Sequence, residues 1–276
     1  MALSDKGLAF VGSGIMAEAM IKGMLKNQLV RPDHMIASGP RPERGEQLQA
    51  QYQVRWTTSN PESIREADIV VLSVKPQRLP RVMRELQGQI QPSALVLSIV
   101  AGAKVSAIAG GLLHSAIVRS MPNTPAQIGM GMTVWTASEQ TSAEQREYAR
   151  SILSALGEEL FVEDESYLDM STALSGTGPA YVFLFMEALI DAGVHLGFPR
   201  RIAQKLVTQT LLGSALFARD SGIHPAELRN MVTSPGGTSA EALYQLEKGG
   251  VRTVLSRAVW AAYQRSRVLG GDQVNS

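Results

Sequence analysis

Two glycine-containing turns in this chain carry residue types that can bind anions. The first is Gly12-x-Gly14-x-x-Ala17, which directly follows the apolar run "LAFVG" and opens a helical pattern. In that context Gly12 allows a tight turn, Gly14 allows a diphosphate to approach the backbone, and Ala17 allows close packing between helix and strand. The diphosphate would lie on the helix N-terminus, whose free N–H groups and dipole favour negative charge. The pattern therefore predicts a dinucleotide site; the alternative is a glycine turn without function.

The second turn is "SPGGTS" at residues 234–239, which stands before another helical pattern. A Pro-Gly-Gly turn at a helix start presents backbone N–H groups with no Cβ in the way, and these suit a carboxylate. The alternative is helix capping alone, with Thr238 or Ser239 as the N-cap and Gly236-Gly237 ending the preceding element. The two interpretations are compatible with each other.

The residues after the second strand indicate which dinucleotide is bound. NAD sites usually carry an acidic residue at the end of this strand, but here the sequence reads "ASGPRPERG", with Ser38 in that place and Arg41 and Arg44 after it. A hydroxyl and two guanidinium groups suit a 2′-phosphate. We therefore expect NADPH to be preferred, with NADH as the second cofactor. The alternative is that both arginines lie on a solvated helix start.

Eight short apolar runs in the first 165 residues predict strands that alternate with helices. The runs are residues 8–12, 34–38, 54–58, 68–74, 94–100, 116–121, 131–137 and 157–163. The segment after the first glycine turn and residues 41–51 predict the first two helices. Nearly continuous apolar strands separated by helices are typical of a doubly wound parallel sheet with right-handed crossovers.

The pattern changes to helices alone after about residue 166. The predicted helices cover residues 179–196, 199–221, 224–232, 238–248 and 250–270. Because "PAYVFLFMEALIDAGVHLG" is apolar nearly all round, we expect these helices to pack against another copy of the chain. The expected fold class is an α/β Rossmann-like domain, residues 1–165, followed by an all-α substrate-binding and dimerisation domain, residues 166–276.

Composition excludes several other functions. The formal net charge is +1 and no basic block exceeds two residues, so neither nucleic acid nor a membrane surface is expected as a partner. The chain has no cysteine, which suits a reducing cytoplasm, and no N-terminal pattern of a secretory signal. No metal site is expected, because the four histidines show no ligand spacing; they are His34, His114, His195 and His224.

Over essentially its full length the chain resembles the pyrroline-5-carboxylate reductase family. The motifs that carry the resemblance are "GSGIMAEAM" (12–20), "VKPQ" (74–77), "SIVAGA" (98–103), "RSMPNTPA" (119–126), "LSGTGPAYVF" (174–183) and "VTSPGGTSAEAL" (232–243). The resemblance implies reduction of the cyclic imine 1-pyrroline-5-carboxylate to L-proline with NAD(P)H, the last step of proline biosynthesis. It also implies a homodimer formed by the C-terminal helices, and dimers assembled into a larger ring such as a decamer.

The resemblance also assigns roles to individual residues. The implied cofactor positions are Gly12, Ser13, Gly14, Ile15 and Met16 at the pyrophosphate, Ser38 at the adenosine phosphate, Asn60, Ser73, Val74, Lys75 and Pro76 along the groove, and Ala101 and Gly102 near the nicotinamide. The implied substrate positions are Glu165, Ser234, Gly236, Gly237, Thr238 and Ser239. Ser239 would donate a hydrogen bond to the imine nitrogen and is the expected catalytic residue.

Two departures from the family and two rival functions bear on these expectations. Ser239 stands where the family pattern S-P-G-G-x-T has threonine, and Met231 stands where some relatives have a polar residue that contacts the cofactor. A β-hydroxyacid dehydrogenase would need a lysine near the start of the helical domain, and none occurs between Lys104 and Lys205. A nucleotide sensor or scaffold without catalysis would have no use for "SPGGTS".

Overall fold

A computed structural model of the protein describes residues 3–271. Its contacts divide the described chain into two compact units. One unit comprises residues 3–177 together with 261–271, and the other comprises residues 178–260. The predicted boundary between residues 165 and 166 stays a prediction, and the domain ends at residues 1–2 and 272–276 lie outside the described residues.

The first unit contains one eight-stranded sheet in the order β3-β2-β1-β4-β5-β6-β7-β8. Neighbouring strands are parallel except for the β6–β7 pair, which is antiparallel. All eight predicted strands are confirmed, but the reversal of β7 and β8 was not predicted. The strands are β1 (Leu8–Val11), β2 (Met35–Ser38), β3 (Arg55–Thr57), β4 (Ile69–Leu72), β5 (Leu95–Ser98), β6 (Ile117–Met121), β7 (Gly131–Ala137) and β8 (Gly157–Phe161).

Helices cover both faces of this sheet, which is why its central strands are apolar on both sides. Helix α1 buries the face predicted for it, including Met20, Ile21 and Met24, against one face of the sheet. Helices α4 and α5 pack on the opposite face. The helices of this unit are α1 (Ile15–Lys26), α2 (Pro42–Tyr52), α3 (Asn60–Ile64), α4 (Leu79–Leu86), α5 (Val105–Leu112), α6 (Ala143–Ser154) and α7 (Ser166–Ser171).

The second unit is helical, as predicted, and buries little of its own apolar surface. Ala203 is the one buried residue in its described range of 178–260. By length and composition alone, the helical stretch Ser166–His195 could cross a membrane, but a helix covered by a partner chain has the same composition. The remaining helices are α8 (Gly178–His195), α9 (Arg200–Ser221), α10 (Pro225–Met231), α11 (Thr238–Lys248) and α12 (Val251–Leu269), whose last turns belong to the first unit.

Candidate functional site

A row of residues in register crosses the sheet where its parallel strands end. Val11 pairs with Ser38 of β2 and Leu72 of β4, Leu72 pairs with Ser98 of β5, and Ser98 pairs with Arg119 of β6. In the strand order 3-2-1-4-5-6, ligands bind outside these carboxyl ends, at the point between β1 and β4 where the order reverses. The loop after each of these strands can therefore line one groove.

The first glycine turn is held tightly at Gly12. This residue has φ +108°, and a Cβ on it would stand 2.7 Å from the backbone oxygen of Ser73. Its N–H donates to the Ser38 carbonyl at 3.0 Å, and the Ser73 hydroxyl donates to its carbonyl at 2.7 Å. Only glycine fits this position, because both the conformation and the space exclude a side chain.

Gly14 differs from Gly12, because the space beside it is open. It is the N-cap of α1, no side chain caps that helix, and a Cβ on it would meet no atom within 4 Å. Unpaired N–H groups at the start of a 12-residue helix, facing open space, suit a diphosphate. Ile15 next to it is exposed, and Met16 packs against the core. The residues present therefore fit a dinucleotide.

Arg44 supports this turn from α2. Its Nε donates to the Ser13 carbonyl at 2.8 Å, and its Nη2 forms an ion pair with Glu18 of α1. The Tyr52 hydroxyl donates to the same carboxylate at 3.0 Å. Burial raises the pKa of Glu18, but the hydrogen bonds from Arg44 and Tyr52 outweigh burial and hold that pKa below its ordinary value of 4.5. Burial and Glu18 raise the pKa of Tyr52.

A short polar chain lies at the end of β2, where the adenosine phosphate is expected. Ser38 is fully buried, and its hydroxyl donates to Asn60 Oδ1 at 2.7 Å. The Asn60 amide in turn donates to Glu85 at 3.1 Å. Arg41, in contrast, is exposed at the N-cap of α2. Of the two arginines expected at a 2′-phosphate, Arg44 is therefore paired with Glu18, and Arg41 is the one whose side chain faces solvent.

The loops after β4 and β5 provide the other expected cofactor residues. After β4, Val74 is half-buried, and Lys75 is an exposed N-cap to a short 3₁₀ turn that starts at Pro76. After β5, Gly102 has φ +74°, and a Cβ there would stand 2.9 Å from the Leu269 side chain. The loop of Ala101 and Gly102 is thus packed closely against the end of α12.

Glu165 lies in a network that the sequence did not reveal. Its Oε1 accepts from the Arg119 guanidinium at 2.8 Å and from the Val105 N–H at 2.8 Å. Arg119 also donates to Asp169 at 3.0 Å, and Ser266 donates to Asp169 at 2.7 Å. The one sequence signal for this network was an arginine within the apolar run "AIVRSM", since a buried charge needs a partner.

The second glycine turn starts α11 in the same way that the first starts α1. Gly237 is the N-cap, and no side chain caps this helix. The alternative that Thr238 or Ser239 is the N-cap is therefore wrong, and Gly236-Gly237 do not end α10, which stops at Met231.

The backbone around this cap leaves the N–H groups of Gly236, Thr238 and Ser239 open, whereas the Gly237 N–H donates to the Ser234 carbonyl at 3.0 Å. Gly236 has φ +70° and open space around it, whereas a Cβ on Gly237 would stand 2.6 Å from the Ser234 hydroxyl oxygen. Thr238 is exposed and Ser239 is half-buried. The turn can therefore offer these open amides and the Ser234 and Ser239 hydroxyls to an anion.

Comparisons with known proteins agree with this architecture. Residues 7–102 match the family model described as NADP oxidoreductase, coenzyme F420-dependent, and residues 165–269 match pyrroline-5-carboxylate reductase dimerisation. The pyrroline-5-carboxylate reductase of Synechocystis sp. is 43% identical over 95% of this chain and 98% of its own length. The pyrroline-5-carboxylate reductase of Pseudomonas aeruginosa is 41% identical over 97% and 98%. The Plasmodium falciparum pyrroline carboxylate reductase structure with NADP bound has a TM-score of 0.89 at 31% identity, covering 97% of this chain and 99% of that one.

The fold, the glycine turn and these matches define an oxidoreductase that uses a nicotinamide dinucleotide. The extent of the identity defines it further. The chain belongs to the pyrroline-5-carboxylate reductase family.

Proposed function

We propose that this protein reduces 1-pyrroline-5-carboxylate to L-proline with NADPH. The observation that carries the proposal is the uncapped start of α11 at residues 234–239, in a member of a family named for this reaction. A carboxylate on a small ring needs hydrogen-bond donors that are free and unobstructed, and the amides of Gly236, Thr238 and Ser239 have both properties.

On the cofactor side, the amides of the first glycine turn bind the pyrophosphate. The open space at Gly14 and the uncapped start of α1 support this role for the amides of residues 13–16, and Gly12 shapes the turn. The loops that contain Asn60, Ser73–Pro76 and Ala101–Gly102 line the rest of the groove, since they follow or flank strands at the carboxyl edge of the sheet. When bound, the nicotinamide supplies a hydride to carbon 5 of the substrate ring.

On the substrate side, the amides of Gly236, Thr238 and Ser239 and the Ser234 hydroxyl bind the carboxylate, while Gly237, whose N–H donates to the Ser234 carbonyl, shapes the turn. The Ser239 hydroxyl donates a hydrogen bond to the lone pair of the ring nitrogen, which the neutral imine already has and which the protonated imine gains from the C=N bond as the hydride arrives. Glu165 supplies a carboxylate that attracts the cationic, protonated form of the imine. These residues orient the ring, and orientation is the main contribution of the protein to the rate.

The nitrogen must also hold a proton in the product. Serine is too weak an acid to protonate the nitrogen by itself. The proton is therefore either already on the imine when it binds, or it passes from water through the Ser239 hydroxyl. Both routes give the same balance, in which one hydride and one proton convert the imine into a secondary amine.

NADPH is the proposed preferred cofactor, with NADH as the weaker one. Two features support this preference. Ser38 stands where NAD sites usually have an acidic residue, and the Arg41 guanidinium is exposed at the start of α2. Ser38 and Asn60 lie at the same end of the groove. Arg44 contributes by holding the glycine turn, because its guanidinium already contacts Ser13 and Glu18.

The helical part, 166–276 in the proposed domain division, forms a homodimer, and dimers assemble further into a ring such as a decamer. The exposed apolar side chains of α8 support this assembly; they include Phe183, Leu184 and Leu196 just after it. Such an area in water would be costly for a single chain. The proposed location is the cytoplasm.

An absorbance assay tests the proposed function. Purified protein mixed with NADPH and 1-pyrroline-5-carboxylate should consume NADPH and produce L-proline, and NADH should work less well. Turnover of a hydroxyacid with no turnover of the imine would instead indicate a β-hydroxyacid dehydrogenase. Dinucleotide binding without any turnover would indicate a nucleotide sensor.

A further inference from the structure

Arg119 is a fully enclosed cation in the middle of β6. Its side chain is only 3% exposed, and its two terminal nitrogens contact different carboxylates, Glu165 and Asp169. A guanidinium is planar and presents its donors in a fixed fork, so two contacts fix its orientation. Arg119 therefore holds both carboxylates in fixed positions.

The two carboxylates differ in their exposure. The Asp169 side chain is 10% exposed, whereas that of Glu165 is 33% exposed. Glu165 lines a cavity of about 470 Å³ within the first unit, together with Arg119 and Asp169. Glu165 is thus the member of this group that can meet a ligand.

One oxygen of Glu165 is held from two directions. Both contacts, from Arg119 and from the Val105 N–H, go to Oε1. Val105 is the first residue of α5, so the carboxylate lies at a helix N-terminus, where negative charge is favoured. Within the described residues, 3–271, the hydrogen bonds and the ion pair of this carboxylate all go to Oε1. Oε2 is therefore the oxygen that can contact a ligand.

The position of Arg119 places this carboxylate near the cofactor groove. Arg119 pairs with Ser98, the last residue of β5, in the row that begins beside the first glycine turn. Val105 follows Gly102, the expected nicotinamide contact, by three residues in sequence.

We infer that Arg119 is a positioning residue for the reduction: together with the Val105 amide, it fixes Glu165 so that Oε2 faces the substrate. This inference rests on the proposed function, because it assigns the substrate contact to Glu165. Arg119 itself touches neither substrate nor cofactor. Its effect on turnover therefore passes through Glu165.

Steady-state kinetics of four single variants and one double variant tests the inference. Arg119→Lys keeps the charge but loses the fork, and it should raise the KM for 1-pyrroline-5-carboxylate on the order of tenfold. Glu165→Gln should raise this KM at least as much. Because Arg119 acts through Glu165, the double variant should be no worse than Glu165→Gln alone. The dissociation constant for NADPH should stay within about twofold of the wild type, since no contact of Arg119 reaches the glycine turn.

Val105→Pro is an independent test, because it leaves the ion pairs of Arg119 with Glu165 and Asp169 intact. Proline is favoured at the first position of a helix, and Lys104 before it has φ −69° and ψ 148°, a conformation that proline requires of its neighbour. The substitution removes the N–H that holds Oε1, and the KM should rise by about threefold to tenfold. This arm also decides the question if Arg119→Lys does not fold.

Ser266→Ala is the matched structural control. Ser266 is buried and bonds to Asp169, so its loss should lower the melting temperature without raising the KM. The inference is overturned if Arg119→Lys or Val105→Pro keeps the wild-type KM, if the losses in the double variant multiply, or if Ser266→Ala raises the KM as much as Arg119→Lys. An inactive wild type would instead overturn the proposed function itself.

Discussion

The two glycine turns have nearly the same local backbone but very different surroundings. Gly14 (φ −77°, ψ −176°) and Gly237 (φ −80°, ψ 167°) are both extended N-caps of helices that no side chain caps. The first turn is wedged between strands, with Gly12 against Ser73, and is supported by Arg44. The second turn lies in a unit with one buried residue, and its Gly236 has open space around it.

This difference shows that a single chain holds the first glycine turn rigid, whereas the second turn depends on assembly with a further chain. The sheet and its helices fix the first glycine turn within a single unit, because its contacts come from β2, from Ser73 just after β4 and from α2. The helices that carry the second glycine turn leave large apolar side chains exposed. The rigidity of the second turn therefore depends on what covers these helices, and the proposed cover is a second copy of the chain.

The largest expected effect comes from crowding the first turn. Gly12→Ala would add strain at a positive φ and a clash with the Ser73 backbone, and it should cost about 2–4 kcal/mol of unfolding free energy and abolish NADPH binding. Gly14→Ala is the control, because its methyl enters open space. It should leave the melting temperature unchanged and still weaken NADPH, measured by fluorescence titration. A stable Gly12→Ala variant with normal NADPH affinity would contradict this description of the turn.

Removing the Ser239 hydroxyl tests the second turn. Ser239→Ala should lower kcat about 100-fold, the usual effect of losing a donor to a charge that changes in the transition state. Its melting temperature should not change, since Gly237 and not Ser239 is the N-cap. Ser239→Thr, which restores the family pattern, should retain activity. Wild-type turnover in the alanine variant would remove Ser239 from the mechanism.

Alanine substitutions of Arg41 and Arg44 distinguish the residue that selects the cofactor from the residue that supports the first glycine turn. Arg41→Ala should weaken NADPH about tenfold and NADH little, because a phosphate contact is lost. Arg44→Ala should weaken both cofactors to a similar extent, because it releases the Ser13 carbonyl and Glu18. Isothermal titration with both dinucleotides measures this difference. Equal losses of the two cofactors in Arg41→Ala would show that Arg41 does not meet the 2′-phosphate.

The smallest expected effect is the acid sensitivity of the first turn. Because the pKa of Glu18 is lowered in the folded state, its contribution to stability is present above its unfolded value of 4.5 and is lost as the pH falls through the lower folded value. The loss should be about 1 kcal/mol or less, as for other partly exposed ion pairs. Urea unfolding at several pH values should show this loss below about pH 4.5 in the wild type and not in Glu18→Gln. The same slope in both proteins would exclude Glu18 as its source.

Local patterns predicted most of the fold. The eight strands were found because buried parallel strands are continuous apolar runs, and α8 to α12 were found because glycine or proline separates most of them. The reversal of β7 could not be predicted, since an apolar run does not encode strand direction. Parallel and antiparallel strands have the same alternation of side chains.

The site was harder to predict where its contacts are distant in sequence. The two glycine turns are local, and their types and spacing were sufficient to find them. Arg119 and Glu165 are 46 residues apart, and Arg44 and Glu18 are 26 apart, so no local pattern links either pair. Only the folded sheet brings β6 to the start of α7.

A crystal structure with both NADP⁺ and L-proline tests the central claim most directly. The account predicts the pyrophosphate on the amides of residues 13–16 and the proline carboxylate on the amides of Gly236, Thr238 and Ser239, with carbon 5 of the proline ring facing the nicotinamide. Proline bound elsewhere, with residues 234–239 empty and remote from the nicotinamide, would contradict it.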